Sequence, residues 1–163
     1  EQANEVYEKS QKNGYKLVIG FPNKQSAPGF KKRLHWTIES NLYVAKLSKD
    51  ELMNIRISNK PNTIMFDTLD EKNLKWRLSK PNQEYIRKDN NILKKFGNKY
   101  DVIFRGRIIE NFDEEKEYNV LICENFDKFL DKKQFDYIFG YKVFDDSIGD
   151  IDFKKDLIMS DIF

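Results

Sequence analysis

The stretch DYIFGYKVFDDSIGDIDFKK, residues 136–155, joins a run of aromatic and β-branched side chains to a cluster of acids. The run DYIFGYKVF predicts a β-strand, because such side chains suit a pleated, half-buried surface. We expect the strand to stop at Asp145 and Asp146, and more acids follow at Asp150 and Asp152. Two hypotheses explain acids at this place: a solvated polar turn, or a set of ligands for a hard cation.

Further apolar segments along the chain also predict strands, because β-branched and aromatic residues predominate in them. They are YKLVIGF (15–21), LHWTIESNLYVAKL (34–47), TIMFD (63–67), LKWRL (74–78), YDVIFRGRII (100–109) and EYNVLIC (117–123).

Helical signals are fewer and shorter. The sequence predicts helices at 2–14, ending at Gly14, at 49–55, where Ser48 and Glu51 form a capping box, and at 82–97, the longest. Segment 23–29 is predicted to be a loop with a turn at Pro28-Gly29, and segment 125–133 a turn or helix. Because strands dominate, the sequence predicts an α+β fold with a mainly antiparallel or mixed sheet, roll-like or sandwich-like, and a few short helices.

Composition predicts one globular domain over residues 1–163, because no linker rich in Pro, Gly or Ser separates two halves. Hydrophobic residues make up 39% of the chain and the net charge is only +2, which favours a packed core over disorder. The apolar runs are too short to span a membrane. The single cysteine, Cys123, predicts a reducing, intracellular compartment, although a chain that starts at Glu1 leaves a processed, exported form open.

Three acids form a candidate metal site. Glu115 and Glu117 are two residues apart at the start of a predicted strand, so we expect their side chains on the same face. Asp146 follows the next strand, and if the two strands are neighbours, the three carboxylates converge. Oxygen ligands of this kind suit Mg²⁺ or Ca²⁺, which is the predicted cofactor.

The segment EKEYNVLIC followed by FDYIFGYKVFDDS resembles the central part of the fumarylacetoacetate hydrolase family. Glu115 and Glu117 match the two glutamates of that family, Gly140-Tyr141 its Gly-Tyr pair and Asp146 its aspartate, within residues 115–150. The resemblance implies that the three acids hold a divalent ion that binds a small oxoacid or 1,3-diketone for hydrolase or lyase chemistry. The arginine that the family places after this segment is missing, so a degenerate, inactive relative is the other form of this hypothesis.

A second enzymatic hypothesis uses neighbouring residues. Asp145, Asp152 and Lys154 form a D-x6-D-x-K pattern, which is similar to the catalytic core of restriction-type nucleases. In such a site the carboxylates bind Mg²⁺ and the lysine orients the attacking water. The remaining acid would come from one of three residues: Glu124, Asp127 or Asp131.

The chain offers one histidine and one cysteine for other chemistry. His35 is the second candidate catalytic residue beside Lys154, although a strand histidine next to Trp36 is more typical of packing. Cys123 lies in the apolar run NVLIC, which predicts a buried, inert thiol rather than a nucleophile.

A third hypothesis needs no catalysis. Residues 58–107 carry twelve Lys or Arg against six Asp or Glu, whereas residues 108–163 carry seven against fifteen. A basic surface with exposed aromatic residues suits contact with a protein or a nucleic acid, and the predicted surface spans residues 72–107. Its supporting features are the aromatics Trp36, Trp76 and Tyr85 and the basic clusters at 31–33 and 94–95.

Overall fold

The computed structural model describes residues 2–55, 63–106, 110–123 and 126–160. Its helices are α1 (Gln2–Lys12), α2 (Ala27–Leu34), α3 (Lys49–Met53) and α4 (Glu71–Arg77), with 3₁₀ segments at Phe126–Lys132, Asp146–Ile148 and Leu157–Met159. Its strands are β1 (Leu17–Gly20), β2 (Thr37–Leu47), β3 (Thr63–Ile64), β4 (Tyr85–Lys88), β5 (Asn91–Phe96), β6 (Lys99–Phe104), β7 (Glu117–Ile122), β8 (Lys133–Val143) and β9 (Asp152–Phe153).

Seven strands form one mixed sheet in the order β1-β8-β2-β7-β6-β5-β4, and this sheet curls into a half-barrel. Neighbouring strands are antiparallel, except that β6 and β7 run parallel. The short strands β3 and β9 form a separate parallel pair. The predicted α+β fold is confirmed, with a mixed sheet and a few short helices.

The sheet buries side chains on both of its faces. Along β2, Leu42 and Val44 belong to one apolar cluster, and Tyr43 and Ala45 belong to another. Successive side chains of a strand point to opposite faces, so the two clusters lie on opposite sides of the sheet. The first cluster also contains Leu74 of α4 and residues after β9, whereas α3 and the 3₁₀ segment 126–132 contribute to the second.

Local sequence signals predicted several elements correctly. Helix α1 ends before Gly14, which has a left-handed φ of 83°. The capping box at α3 is present, because the Ser48 side chain accepts the N–H of Glu51 and the Glu51 carboxylate accepts the N–H of Ser48 at 3.0 Å. The strands predicted at 15–21, 34–47, 100–109, 117–123 and 136–144 overlap β1, β2, β6, β7 and β8 in that order, with residues 107–109 outside the described part. Strands β6 and β8 begin before the predicted segments, at Lys99 and Lys133.

The helix predicted at 82–97 is wrong, because this segment is the β4–β5 hairpin. Asp89 and Asn90 form its two-residue loop with φ values of 48° and 62°, the positive values that a type I′ turn requires. The Asn91 side chain holds the turn, since its Nδ2 donates to the carbonyls of Lys88 and Asp89 and its Oδ1 accepts the N–H of Gly106 at 2.8 Å.

Two further predictions are corrected. The strand predicted at 74–78 is helix α4, which starts where the Asp70 side chain accepts the N–H of Asn73 and which buries Leu74 and Arg77 on one side. The loop predicted at 23–29 ends in helix α2, which begins at Ala27, because proline is well suited to a first helical turn. Of the strand predicted at 63–67, only β3 forms.

Candidate functional site

The three predicted metal ligands do not come together in the structure. Glu117 begins β7, next to the end of β2 at Leu47. Asp146 follows β8, beyond the start of β2 at Thr37. Strand β2 has 11 residues between these two ends. Because a strand rises about 3.3 Å per residue, Glu117 and Asp146 lie on the order of 30 Å apart along the sheet.

The two glutamates at the start of β7 take part in local contacts. Glu117 forms an ion pair with Lys46 of β2, with 3.2 Å between the carboxylate oxygen and Nζ. Glu115 lies in the turn before β7, where its backbone N–H donates to the Asp113 side chain at 3.1 Å. Glu117 begins a strand as predicted, whereas Glu115 lies in the turn before it, and β2 separates that strand from β8.

The acids after β8 form a polar turn. Asp145 accepts the backbone N–H of Ser147 at 2.9 Å and pairs with Lys16 at 3.7 Å. Hydrogen bonding from Ser147, assisted by Lys16, lowers the pKa of Asp145. Asp146 occupies the first position of the following 3₁₀ segment. Within the four described ranges, no three His, Cys, Asp or Glu side chains are placed to hold a metal ion.

His35 ends helix α2 in a left-handed conformation, with φ of 55°, and its side chain is exposed. The neighbouring Trp36 is buried and donates from its indole N–H to the Tyr7 hydroxyl at 3.0 Å. His35 therefore lies at a helix end, and it does not line the cavity described next.

Asp152 and Lys154, two residues of the nuclease hypothesis, do line one cavity of about 90 Å³. Strands β6 and β7 supply an apolar wall that includes Val102, Val120 and Leu121. The ionisable side chains of the lining are Arg105, Cys123, Asp152, Lys154, Lys155 and Asp156. Val102 and Val120 belong to the second apolar cluster, whereas Leu121, Phe153 and Leu157 belong to the first, so residues of both clusters line the cavity.

Ion pairs and hydrogen bonds fix the positions of charged side chains that line the cavity. Lys154 Nζ binds Asp156 Oδ2 and lies 3.9 Å from the centre of the Phe104 ring. The backbone N–H of Arg105 donates to Asp156 Oδ1 at 3.1 Å, so both carboxylate oxygens have donors. Burial raises the pKa of Asp156, against the opposing attraction of Lys154. Lys154 is thus committed to a buried carboxylate.

The other residues of the nuclease hypothesis lie elsewhere. Asp145 does not line the cavity, because it belongs to the turn after β8. Asp127 and Asp131 are exposed in the 3₁₀ segment that contributes to the second cluster, and Glu124 lies outside the described residues. Among the described residues, the structure therefore brings Asp152 and Lys154 together without Asp145, Asp127 or Asp131.

The aromatic candidates of the binding hypothesis differ in exposure. Trp36 is only 6% exposed and Tyr85 is partly buried, whereas Trp76 on helix α4 is 74% exposed. Leu69 and Met65, just before the same helix, are 88% and 50% exposed. Of the three predicted aromatics, only Trp76 is presented to solvent.

Arg105 is the residue that sequence reasoning missed. Its guanidinium Nη2 donates to the carbonyls of Leu52, at 3.0 Å, and Ile55, and burial lowers its pKa. The one local signal was an arginine placed directly after the apolar strand residues of VIF. Its hydrogen-bond partners lie about 50 residues away in both directions, Leu52 and Ile55 before it and Asp156 after it, so spacing alone does not reveal them.

No protein-family model, no curated protein and no solved structure matches this chain. The resemblance to the fumarylacetoacetate hydrolase family therefore stays a prediction that rests on residues 115–150. Among the helices in the described part of the chain, none has the length and apolar character needed to cross a membrane.

Proposed function

We propose that this chain is a non-catalytic binding domain that docks an acidic, partly apolar segment of another protein on the outer face of α4. The observation that carries this proposal is the exposure of Trp76, at 74%, on a short helix. Tryptophan presented to water in this way is more typical of a contact residue than of a core residue.

The inner face of α4, which carries Leu74 and Arg77, is anchored in the protein. The opposite, outer face is therefore held in a fixed position. Leu74 is 1% exposed and packs in the first cluster. The buried Arg77 donates from Nε to the Ile158 carbonyl at 2.6 Å and from Nη2 to the Ser160 carbonyl. An aromatic residue on a fixed element loses little conformational freedom when a partner binds.

The neighbours of Trp76 indicate what kind of partner would bind. Lys72 and Trp76 are four residues apart and Lys75 is adjacent, so the three side chains share the outer face, and both lysines are exposed. Glu71, on the same helix, already pairs with Arg87 at 3.3 Å. The two lysines favour an acidic partner by charge complementarity.

The apolar neighbours favour a protein over a nucleic acid. Leu69 and Met65, which precede α4 in the chain, are also exposed, and side chains of this kind suit the apolar centre of a protein interface. Affinity for nucleic acid depends chiefly on many contacts to phosphates, and the whole chain carries a net charge of only +2.

A peptide display library tests the proposal. Peptides that combine Asp or Glu with apolar residues should be selected, and titration of a selected peptide should shift Trp76 fluorescence to shorter wavelength. Trp76→Ala should weaken binding by about 2 kcal/mol, or roughly thirtyfold in Kd, while the exposed position leaves the melting temperature unchanged. The matched control, Lys31→Glu with Lys32→Glu on α2, should bind normally.

Three results would overturn the proposal. The library yields no acidic binder, or the selected peptides bind Trp76→Ala as tightly as the wild type. Alternatively, a single-stranded oligonucleotide binds more tightly than any peptide, with the steep salt dependence that phosphate contacts produce. That last result would assign the same surface to nucleic acid.

A further inference from the structure

We propose that the cavity beside Arg105 binds a small oxyanion, either the carboxylate or the phosphoryl group of a small molecule. This site is separate from the surface on α4. It lies beside the C-terminal ends of β6 and β7, and none of the residues of the α4 surface line it. Its volume of about 90 Å³ suits a single small group, since pockets for drug-sized ligands start at about 300 Å³.

The charges around the cavity are paired, with one exception. Lys154 binds Asp156, and Lys155 Nζ lies 2.8 Å from Glu39 Oε2. Asp152 accepts the backbone N–H of Phe153 at 3.0 Å. Each of these groups has a partner of complementary charge or polarity within the protein.

The exception is the guanidinium of Arg105. Within the described residues its hydrogen bonds go to the carbonyls of Leu52 and Ile55. Asp156 attracts it electrostatically, but no described carboxylate forms an ion pair or hydrogen bond with the guanidinium. Its Nε is buried and has no hydrogen-bond partner in the same part of the chain. A partly desolvated cation without a directly bonded counter-ion is costly, because the attraction of Asp156 offsets only part of what burial removes.

An oxyanion in the cavity would supply what Arg105 lacks. Guanidinium groups bind carboxylate and phosphate oxygens through directed, charge-assisted hydrogen bonds. The apolar wall of β6 and β7 lowers the local dielectric constant, which strengthens that attraction. Asp156 does not take the place of such a ligand on the guanidinium, because its oxygens are bonded by Lys154 and by the Arg105 backbone N–H.

Cys123 provides a local measurement of this site. It lines the same cavity and is the only cysteine in the chain. The rate of its alkylation by iodoacetate, an anion, is compared with the rate for neutral iodoacetamide of similar size. A cationic site raises the ratio of the iodoacetate rate to the iodoacetamide rate, because it attracts the anion. Arg105→Gln should therefore lower this ratio about three- to tenfold. Lys24→Gln, at an exposed lysine outside the cavity, should leave the ratio unchanged.

Competition identifies the ligand class and does not depend on the variant being folded. Inorganic phosphate or acetate, added to wild-type protein at constant ionic strength, should slow Cys123 alkylation about tenfold at ten times its Kd, whereas chloride should not. Protection by phosphate alone indicates a phosphoryl group, and protection by acetate alone a carboxylate. Equal rates in phosphate, acetate and chloride, or a ratio that Arg105→Gln does not change in folded protein, would overturn the proposal.

Discussion

Gly106 occupies a position where any side chain would meet backbone. A Cβ built there would lie 2.8 Å from the carbonyl oxygen of Asn90 and 3.1 Å from that of Asp89. The same glycine donates its N–H to the buried Asn91 side chain, which holds the β4–β5 turn. We expect Gly106→Ala to destabilise the protein by about 1–3 kcal/mol, because the turn must move to admit the methyl group. Urea unfolding measures this change.

Gly29 is the matched control for that substitution. It lies within α2, and a Cβ there meets no atom within 4 Å. Gly29→Ala should therefore be neutral or stabilise the protein by up to about 1 kcal/mol, because alanine favours the helix and restricts the unfolded chain. Equal destabilisation by both substitutions would show that the tight contact at Gly106 is not the cause.

For single residues and short motifs, the sequence predicts the structure correctly where the signal is local. Ser48 and Glu51 are three residues apart, so their capping box was predictable from the letters alone. The two tryptophans have no such signal, because each stands among basic and apolar neighbours. Whether Trp36 or Trp76 is buried depends on which elements pack over it, and only the folded chain decides that.

The loop between β1 and α2 is held to β8 by Asp136. Its carboxylate bonds Lys133 at 2.6 Å and, across the loop, Lys24 at 2.6 Å. Bonds to Lys133, and then to Lys24, lower the pKa of Asp136 from 3.8 to about 2. Because the folded value is the lower one, the stabilisation is complete above the unfolded pKa and is lost as the pH falls towards about 2.

Asp136→Asn should therefore lower the melting temperature at pH 7 by about 2–4 °C or less, since partly exposed pairs contribute at most about 1 kcal/mol. The difference from wild type should shrink between pH 4 and pH 2, which a calorimetric pH series measures. Glu71→Gln removes an exposed ion pair with Arg87 that clamps no loop, so it should have less effect. A difference that stays constant down to pH 2 would contradict this account.

At the scale of whole elements, the β4–β5 hairpin explains the main error. Its apolar residues at 85, 86, 92 and 93 satisfy a helical repeat as well as a pair of strands. The deciding feature was the two-residue loop at Asp89 and Asn90, whose positive φ values a helix does not contain. The candidate site shows the same division. Asp152 and Lys154 were found through close spacing, whereas Arg105 joins them only because the segment after β9 packs at the end of β6, where the Arg105 N–H donates to Asp156.

Across the whole molecule, the position of β2 has a testable consequence for metal binding. Glu117 and Asp146 lie at its opposite ends, so the two acids do not share an ion in this fold. We expect millimolar Mg²⁺ or Ca²⁺ to leave the melting temperature unchanged, because an ion that gains no folded-state site does not stabilise the protein. A rise in melting temperature that Glu117→Ala abolishes would instead favour the arrangement of the fumarylacetoacetate hydrolase family.

The order of strands in the sheet also affects when each strand meets its partner during synthesis. Strand β1 pairs with residues 140–143 and β2 with residues from 118 onward, whereas β4, β5 and β6 pair in sequence. A ribosome adds about 5–20 residues per second, so β2 waits roughly 4–15 s for β7 to be synthesised. During that interval the apolar residues of β1 and β2 have no sheet partner, and the β4–β6 meander is free to fold first. Synthesis therefore exposes the first strands of this chain to chaperones and to neighbouring nascent chains before its last strands exist.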